Sequence, residues 1–173
     1  MSALAFAKSE LAAALNRGVR QCVVIGKRPF LTGSLDPTLQ VFAVDESATE
    51  TLAAALDKSE FDKLKASLFV WLGGAGYRTV DAMIASLAFI ASLPKGSGVL
   101  LDYAVERTSL GTLTNTALDA LASRLSSAGG TVKYLIQPQA VEALLRGVGF
   151  RQIIDLASEE PSPATARLVS ATV

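Results

Sequence analysis

Apolar positions along this chain follow two periods, and the switch between them outlines the elements. Residues 3–15 repeat at helical spacing, which predicts an amphipathic helix with Leu4, Leu11 and Leu15 on one face. Residues 21–25 and 39–44 are short runs rich in Val and Ile, and read as strands. Only residues 27–38 separate them, and Pro29 and Pro37 leave room there for a single helical turn at most. Ser47 is placed to cap a helix carrying Leu52, Ala55 and Leu56, with Glu50 completing a capping box. Residues 57–66 are polar and helical in composition, and residues 67–71 are the next strand. Thr79 is placed to cap a helix with Val80, Ile84, Leu87 and Ile90, which ends near Pro94 and Gly96; Met83 belongs to its core face. The continuous apolar run 98–103 is expected of a strand covered on both faces. A long helix is predicted over 109–128, stopped by Gly129 and Gly130, then a short extended piece at 132–136 and a helix at 138–146. Strands at 151–156 and 167–172 close the pattern, joined by a surface connection around 159–163.

Strands alternating with helices argue an α/β sheet, mostly parallel, with helices on both faces. The four strands at 21–25, 39–44, 67–71 and 98–103 are expected to be central and all parallel. A length of 173 residues predicts one domain over 1–173, large enough to bury a substantial core.

Composition removes whole classes of chemistry. Histidine is absent and Cys22 is the lone cysteine, so a Ser-His-Asp triad, a Cys-His dyad and a His-Glu-x-x-His zinc site are excluded, and no metal is expected. Cys22 falls inside a predicted strand, where a thiol packs as a small hydrophobe. An unpaired cysteine fits a reducing compartment, and a cytoplasmic location is expected. The formal net charge is zero, which favours neither nucleic acid nor an anionic membrane as partner. No apolar run reaches the length of a membrane span, and Lys8 and Glu10 make the N-terminus unlike a signal peptide.

Candidate chemistry sits at strand ends. In open α/β sheets, ligands bind beyond the carboxyl ends of the strands, at a switch point. Gly26 closes the first strand and Asp45 the second. Gly26 reads either as a turn opened for a ligand or as a plain turn glycine. Asp45 reads either as a ribose acceptor or as a helix cap. Trp71-Leu-Gly-Gly-Ala-Gly76 is a second glycine-rich turn after a strand, and Asp102 and Tyr103 end a further strand, where a satisfied surface pair is expected.

Five segments, in order, resemble the class I S-adenosylmethionine-dependent methyltransferases of the leucine carboxyl methyltransferase-like branch. They are Arg17-Gly-Val-Arg-Gln21 before the first strand, Val41-Phe-Ala-Val-Asp45, Leu68-Phe-Val-Trp71, the stretch Phe89-Ile-Ala-Ser-Leu-Pro-Lys-Gly-Ser97 with Val99-Leu-Leu-Asp-Tyr103, and the late helix and strand running from Gln137 to Leu156. The similarity spans about Glu10 to Val169. It implies a Rossmann-like methyltransferase fold, S-adenosylmethionine as cofactor, and Gly26, Asp45 and Tyr77 as cofactor-binding positions; it leaves the catalytic residues unknown.

The departures from that family are as informative. Its first loop carries a second glycine and an acid, where this chain has Gly26-Lys-Arg-Pro-Phe-Leu-Thr-Gly33. Lys27 and Arg28 place positive charge near the position of a cationic sulfonium, which Coulomb repulsion disfavours. The acid expected directly after the strand-four tryptophan is replaced by Leu72. The family's cofactor-carboxylate arginine and its edge strand three have no counterpart here. Two readings follow: a carboxyl/O-methyltransferase with an impaired site, or an inactive methyltransferase-fold scaffold or regulatory subunit. Loss of strand three would leave residues 39–44 as a sheet edge, which predicts a homodimer or a complex with an unidentified protein partner.

Overall fold

The computed structural model describes residues 2–26, 36–45, 50–72, 80–105, 135–136, 138–157 and 166–173. Four helices and seven strands fall among them: α1 (Ala3–Asn16), β1 (Gln21–Ile25), β2 (Gln40–Val44), α2 (Leu52–Asp57), β3 (Ser67–Trp71), α3 (Val80–Ala91), β4 (Gly98–Val105), β5 (Leu135–Ile136), α4 (Pro138–Val148), β6 (Gln152–Ala157) and β7 (Ala166–Thr172). Six strands lie in the order β2-β1-β3-β4-β7-β6, and β5 pairs with the end of β4. The four strands β2, β1, β3 and β4 are all parallel, as their apolar runs predict, but only β1, β3 and β4 are central: β2 ends the strand order and is half exposed, because no described strand lies beyond it. The last two form an antiparallel hairpin, with β7 inserted between β4 and β6.

Side chains alternate across this sheet with period two. Val23, Ile25, Phe69, Trp71, Val99, Leu101, Tyr103, Val169 and Ala171 point to one face, where Leu52, Leu56, Met83, Leu87, Ile90, Val141 and Leu145 of α2, α3 and α4 close over them. Cys22, Leu68, Val70, Leu100 and Leu168 point to the other, under α1. Both faces of the central strands are therefore dry, which is why these strands contain almost no polar residue. Gly98 begins β4 in contact with β7: a Cβ there would lie 2.8 Å from the Ala171 carbonyl oxygen, so only glycine fits.

Local differences from the sequence pattern have physical causes. The face that α1 buries is Phe6, Ala7, Leu11 and Ala14, while Leu4 is 43% exposed. Alanines at the centre of the contact bring the helix axis close to the sheet, and Glu10 reaches β7 to accept a 2.6 Å hydrogen bond from the Ser170 hydroxyl. Helix α2 starts at Leu52 and is capped by Thr51, whose hydroxyl accepts the Ala54 N–H at 3.2 Å; Glu50 precedes the cap and pairs with Lys58. Ser47 itself, the Thr79 cap, the helix expected over 109–128 and the connection at 159–163 lie outside the described residues.

Residues 57–66 are not a helix. Beyond Asp57 the chain runs through turns, with Phe61 driven into the core edge-on between Phe42 and Phe69 at centroid distances of 5.6 and 6.0 Å. The backbone of Asp62 is taken up by Gln21. This buried glutamine accepts the Asp62 N–H at 2.9 Å and donates to the Asp62 carbonyl at 2.9 Å and to the Ser67 hydroxyl at 3.0 Å. The Ser67 N–H in turn donates to Ser97 at 3.2 Å. This network stitches the amino ends of β1, β3 and β4. A Gln21→Leu substitution keeps the volume and orphans the Asp62 amide. It is expected to lower stability by about 2 kcal/mol, measured by urea unfolding, because an abandoned buried partner costs its desolvation.

Candidate functional site

The strand order reverses direction at β1. The chain passes from β1 outward to β2, then returns to lay β3 on the other side. Such a switch point opens a crevice beyond the carboxyl ends of β1 and β3. The register Ile25↔Val44 places Gly26 and Asp45 side by side at this end of the sheet. Gly26 has φ of 107°, a left-handed conformation that glycine adopts without strain, and its N–H donates to the Val44 carbonyl at 3.0 Å. Asp45 is exposed. The cap of α2 is Thr51, so capping that helix is not the role of Asp45. Leu72, which follows β3 across the switch point, is half-buried and packs against the α1-side cluster. Tyr77, Lys27, Arg28 and the glycine-rich stretch 73–76 lie outside the described residues.

A second polar group gathers at the same end of the sheet. Tyr103 of β4 is not half of a surface pair with Asp102. It is buried, and its hydroxyl donates to the Asp155 carboxylate of β6. Arg167, at the start of β7, donates from Nε to Asp155 Oδ1 at 2.7 Å. All three residues project from the α3/α4 face, because Tyr103 pairs with Arg167, and Asp155 with Val169, in the antiparallel registers. Burial raises the Tyr103 phenol above its ordinary range, and the Asp155 hydrogen bond adds to the shift. The same carboxylate raises the Arg167 guanidinium. The phenol therefore stays neutral. The sequence reading missed Asp155 and Arg167. An acid interrupting the apolar run Ile153-Ile-Asp-Leu156 was the available signal, but its partners depend on the hairpin register.

Cys22 is fully buried, and desolvation pushes its thiol up to about 12. It is an inert packing residue, as its place in a strand predicts. Among the described residues no cluster of His, Cys, Asp and Glu could hold a metal ion, and no helix is long and apolar enough to cross a membrane.

No protein-family model and no curated protein matches the sequence. Solved structures do match the fold. A provisional methyltransferase from Thermobifida fusca superposes with a TM-score of 0.59 at 14% identity, covering 91% of this chain and 74% of its own. A SAM-dependent methyltransferase from Archaeoglobus fulgidus gives 0.56 at 14% identity, covering 98% and 94%. A provisional O-methyltransferase from Nostoc punctiforme gives 0.56 at 14% identity; this chain spans 54% of its length. The chain has the Rossmann-like methyltransferase fold. At these identities the likeness carries the fold alone. Among the described residues β2 is the last strand at its end of the sheet.

Proposed function

We propose that this chain is a homologue of the S-adenosylmethionine-dependent methyltransferases, of the carboxyl/O-methyl type and leucine carboxyl methyltransferase-like branch, with an impaired cofactor site. The observation that carries this reading is the pairing of Gly26 and Asp45 at the switch point opposite an apolar Leu72. Asp45 suits a ribose diol, since a carboxylate accepts two hydroxyl hydrogen bonds. Leu72 is apolar, where the family carries an acid directly after the tryptophan. The described residues thus fit the ribose half of an S-adenosyl ligand and not its remaining groups, so no methyl-transfer step is assigned to them. Tyr77 keeps its place in this reading as a third cofactor contact. A reducing, cytoplasmic setting is part of the same reading, in keeping with a buried and unpaired Cys22.

The inactive-scaffold alternative differs only in the degree of that impairment. Ligand-observed NMR at millimolar S-adenosylhomocysteine separates the two: residual saturable binding supports the impaired enzyme, and none supports the scaffold. Within the first reading, Asp45→Ala is expected to weaken the residual affinity about tenfold, the value of one charge-assisted hydrogen bond. The α2 cap is untouched in this variant, because Thr51 supplies it. A melting temperature that drops while affinity holds would assign Asp45 a purely structural role.

A further inference from the structure

Among the described residues no strand pairs with the outer side of β2, and the alternation of its backbone shows which groups are left over. The Gln40 N–H donates to the Arg20 carbonyl at 2.9 Å, and the Val44 carbonyl accepts from Gly26 at 3.0 Å. Residues 40, 42 and 44 therefore turn their backbone groups inward to β1, and Val41 and Ala43 turn theirs outward. Among the described residues the N–H and C=O of Val41 and Ala43 have no hydrogen-bond partner. Both side chains are exposed, Val41 by 43%, on the α1 face; α1 itself packs over β3, β4 and β7 and leaves them uncovered. Natural edges are usually blunted by a charge, a proline or a bulge. The five residues Gln-Val-Phe-Ala-Val contain no charge and no proline, and pair with β1 in unbroken register.

We propose that β2 is the interface of a symmetric homodimer, in which two copies pair their β2 strands antiparallel about Phe42. The inference does not depend on the cofactor site. The occupant is a second copy because the free groups are self-complementary. The two outward residues are symmetric about Phe42, so antiparallel pairing sets Val41 opposite the partner's Ala43, and Ala43 opposite the partner's Val41. Both become hydrogen-bonded pairs, and four otherwise bare groups on each copy are satisfied. No charge is brought against its own image, because the strand has none. On the opposite face Phe42, half-buried against Phe61, meets the partner's Phe42 across the non-hydrogen-bonded position. A strand edge this short buries less than the roughly 800 Å² per partner of a standard interface, so the dimer is concentration-dependent.

Size-exclusion chromatography with light scattering, run from low micromolar to near-millimolar protein, reads the mass, and amide hydrogen exchange reads the strand. Twice the chain mass is expected at high concentration, with the Val41 and Ala43 amides gaining protection as concentration rises. Val41→Lys, at an exposed side chain, brings like charges together across the two-fold and should raise the dimer dissociation constant about a hundredfold. Ala43→Pro removes an outward N–H that no described residue of the monomer accepts, and should do the same. Circular dichroism checks that each variant folds; if the proline variant unfolds, the lysine variant decides. A monomer mass at the highest concentration would overturn the proposal. So would a dimer whose Val41 and Ala43 amides exchange as in the monomer, or one that persists in folded Val41→Lys.

Discussion

S-adenosylhomocysteine titrated into this chain is expected to give no saturable heat at micromolar ligand, and S-adenosylmethionine no thermal shift. A glycine turn and one acid survive at the switch point. The second glycine of the loop, the acid after the β3 tryptophan and the carboxylate-binding arginine are absent from the sequence pattern. Each missing polar contact is worth on the order of 1–3 kcal/mol. Every 1.4 kcal/mol or so is tenfold in affinity, so two or three losses carry a micromolar site to millimolar or weaker. Lys27 and Arg28, bonded directly after Gly26, work against the sulfonium in particular, so S-adenosylhomocysteine is expected to bind better than S-adenosylmethionine. A saturable micromolar isotherm would remove the impaired-site reading and restore a competent enzyme.

Stability is expected to fall steeply in alkali, beginning near pH 9. The cause is Cys22, whose thiol is raised by burial from an ordinary 9.0 to about 12. A raised pKa means that the folded state keeps a proton which the unfolded chain has already lost. The contribution is fully present below the unfolded value and drains away as pH climbs to the folded one. At about 1.4 kcal/mol per pKa unit, three units amount to roughly 4 kcal/mol by pH 12, a large share of a typical domain's stability. Tyr103, shifted in the same direction by burial and by Asp155, adds to the loss once the unfolded phenol ionises near pH 10. Urea midpoints measured from pH 7 to 11 test this. In Cys22→Val, which fills the site with an apolar group of similar size, the decline should start about one unit later. Identical profiles for the two proteins would show that the thiol is not the titrating group.

The helical and strand periods located the central strands to within a residue or two, since a strand buried on both faces has no freedom to be anything but apolar. They failed where an element's partners lie far away in sequence. Residues 57–66 have helical composition, yet Phe61 in the aromatic row and Gln21 on the Asp62 backbone outweigh the local preference. The face of α1 was misread because leucines were weighted over alanines, and it is the alanines that let the helix approach the sheet. Ser47 and Thr51 are both good caps by residue type. The Thr51 hydroxyl is the one that reaches the first turn of the helix, at Ala54.

The candidate site divides along the same line. The sequence alone determined that Gly26 and Asp45 end successive strands, that histidine is absent, and that an apolar Leu72 follows the strand ending at Trp71. These are facts of residue identity and of the spacing along one strand. Only the tertiary structure decided that Gly26 and Asp45 are neighbours, because adjacency follows from parallel register rather than from order in the chain. It alone joined Tyr103 to Asp155 and Arg167 through an antiparallel hairpin that skips a strand. It also gave the outward amides of Val41 and Ala43 no partner among the described residues, because hydrogen bonding across a sheet is settled by which strand arrives alongside.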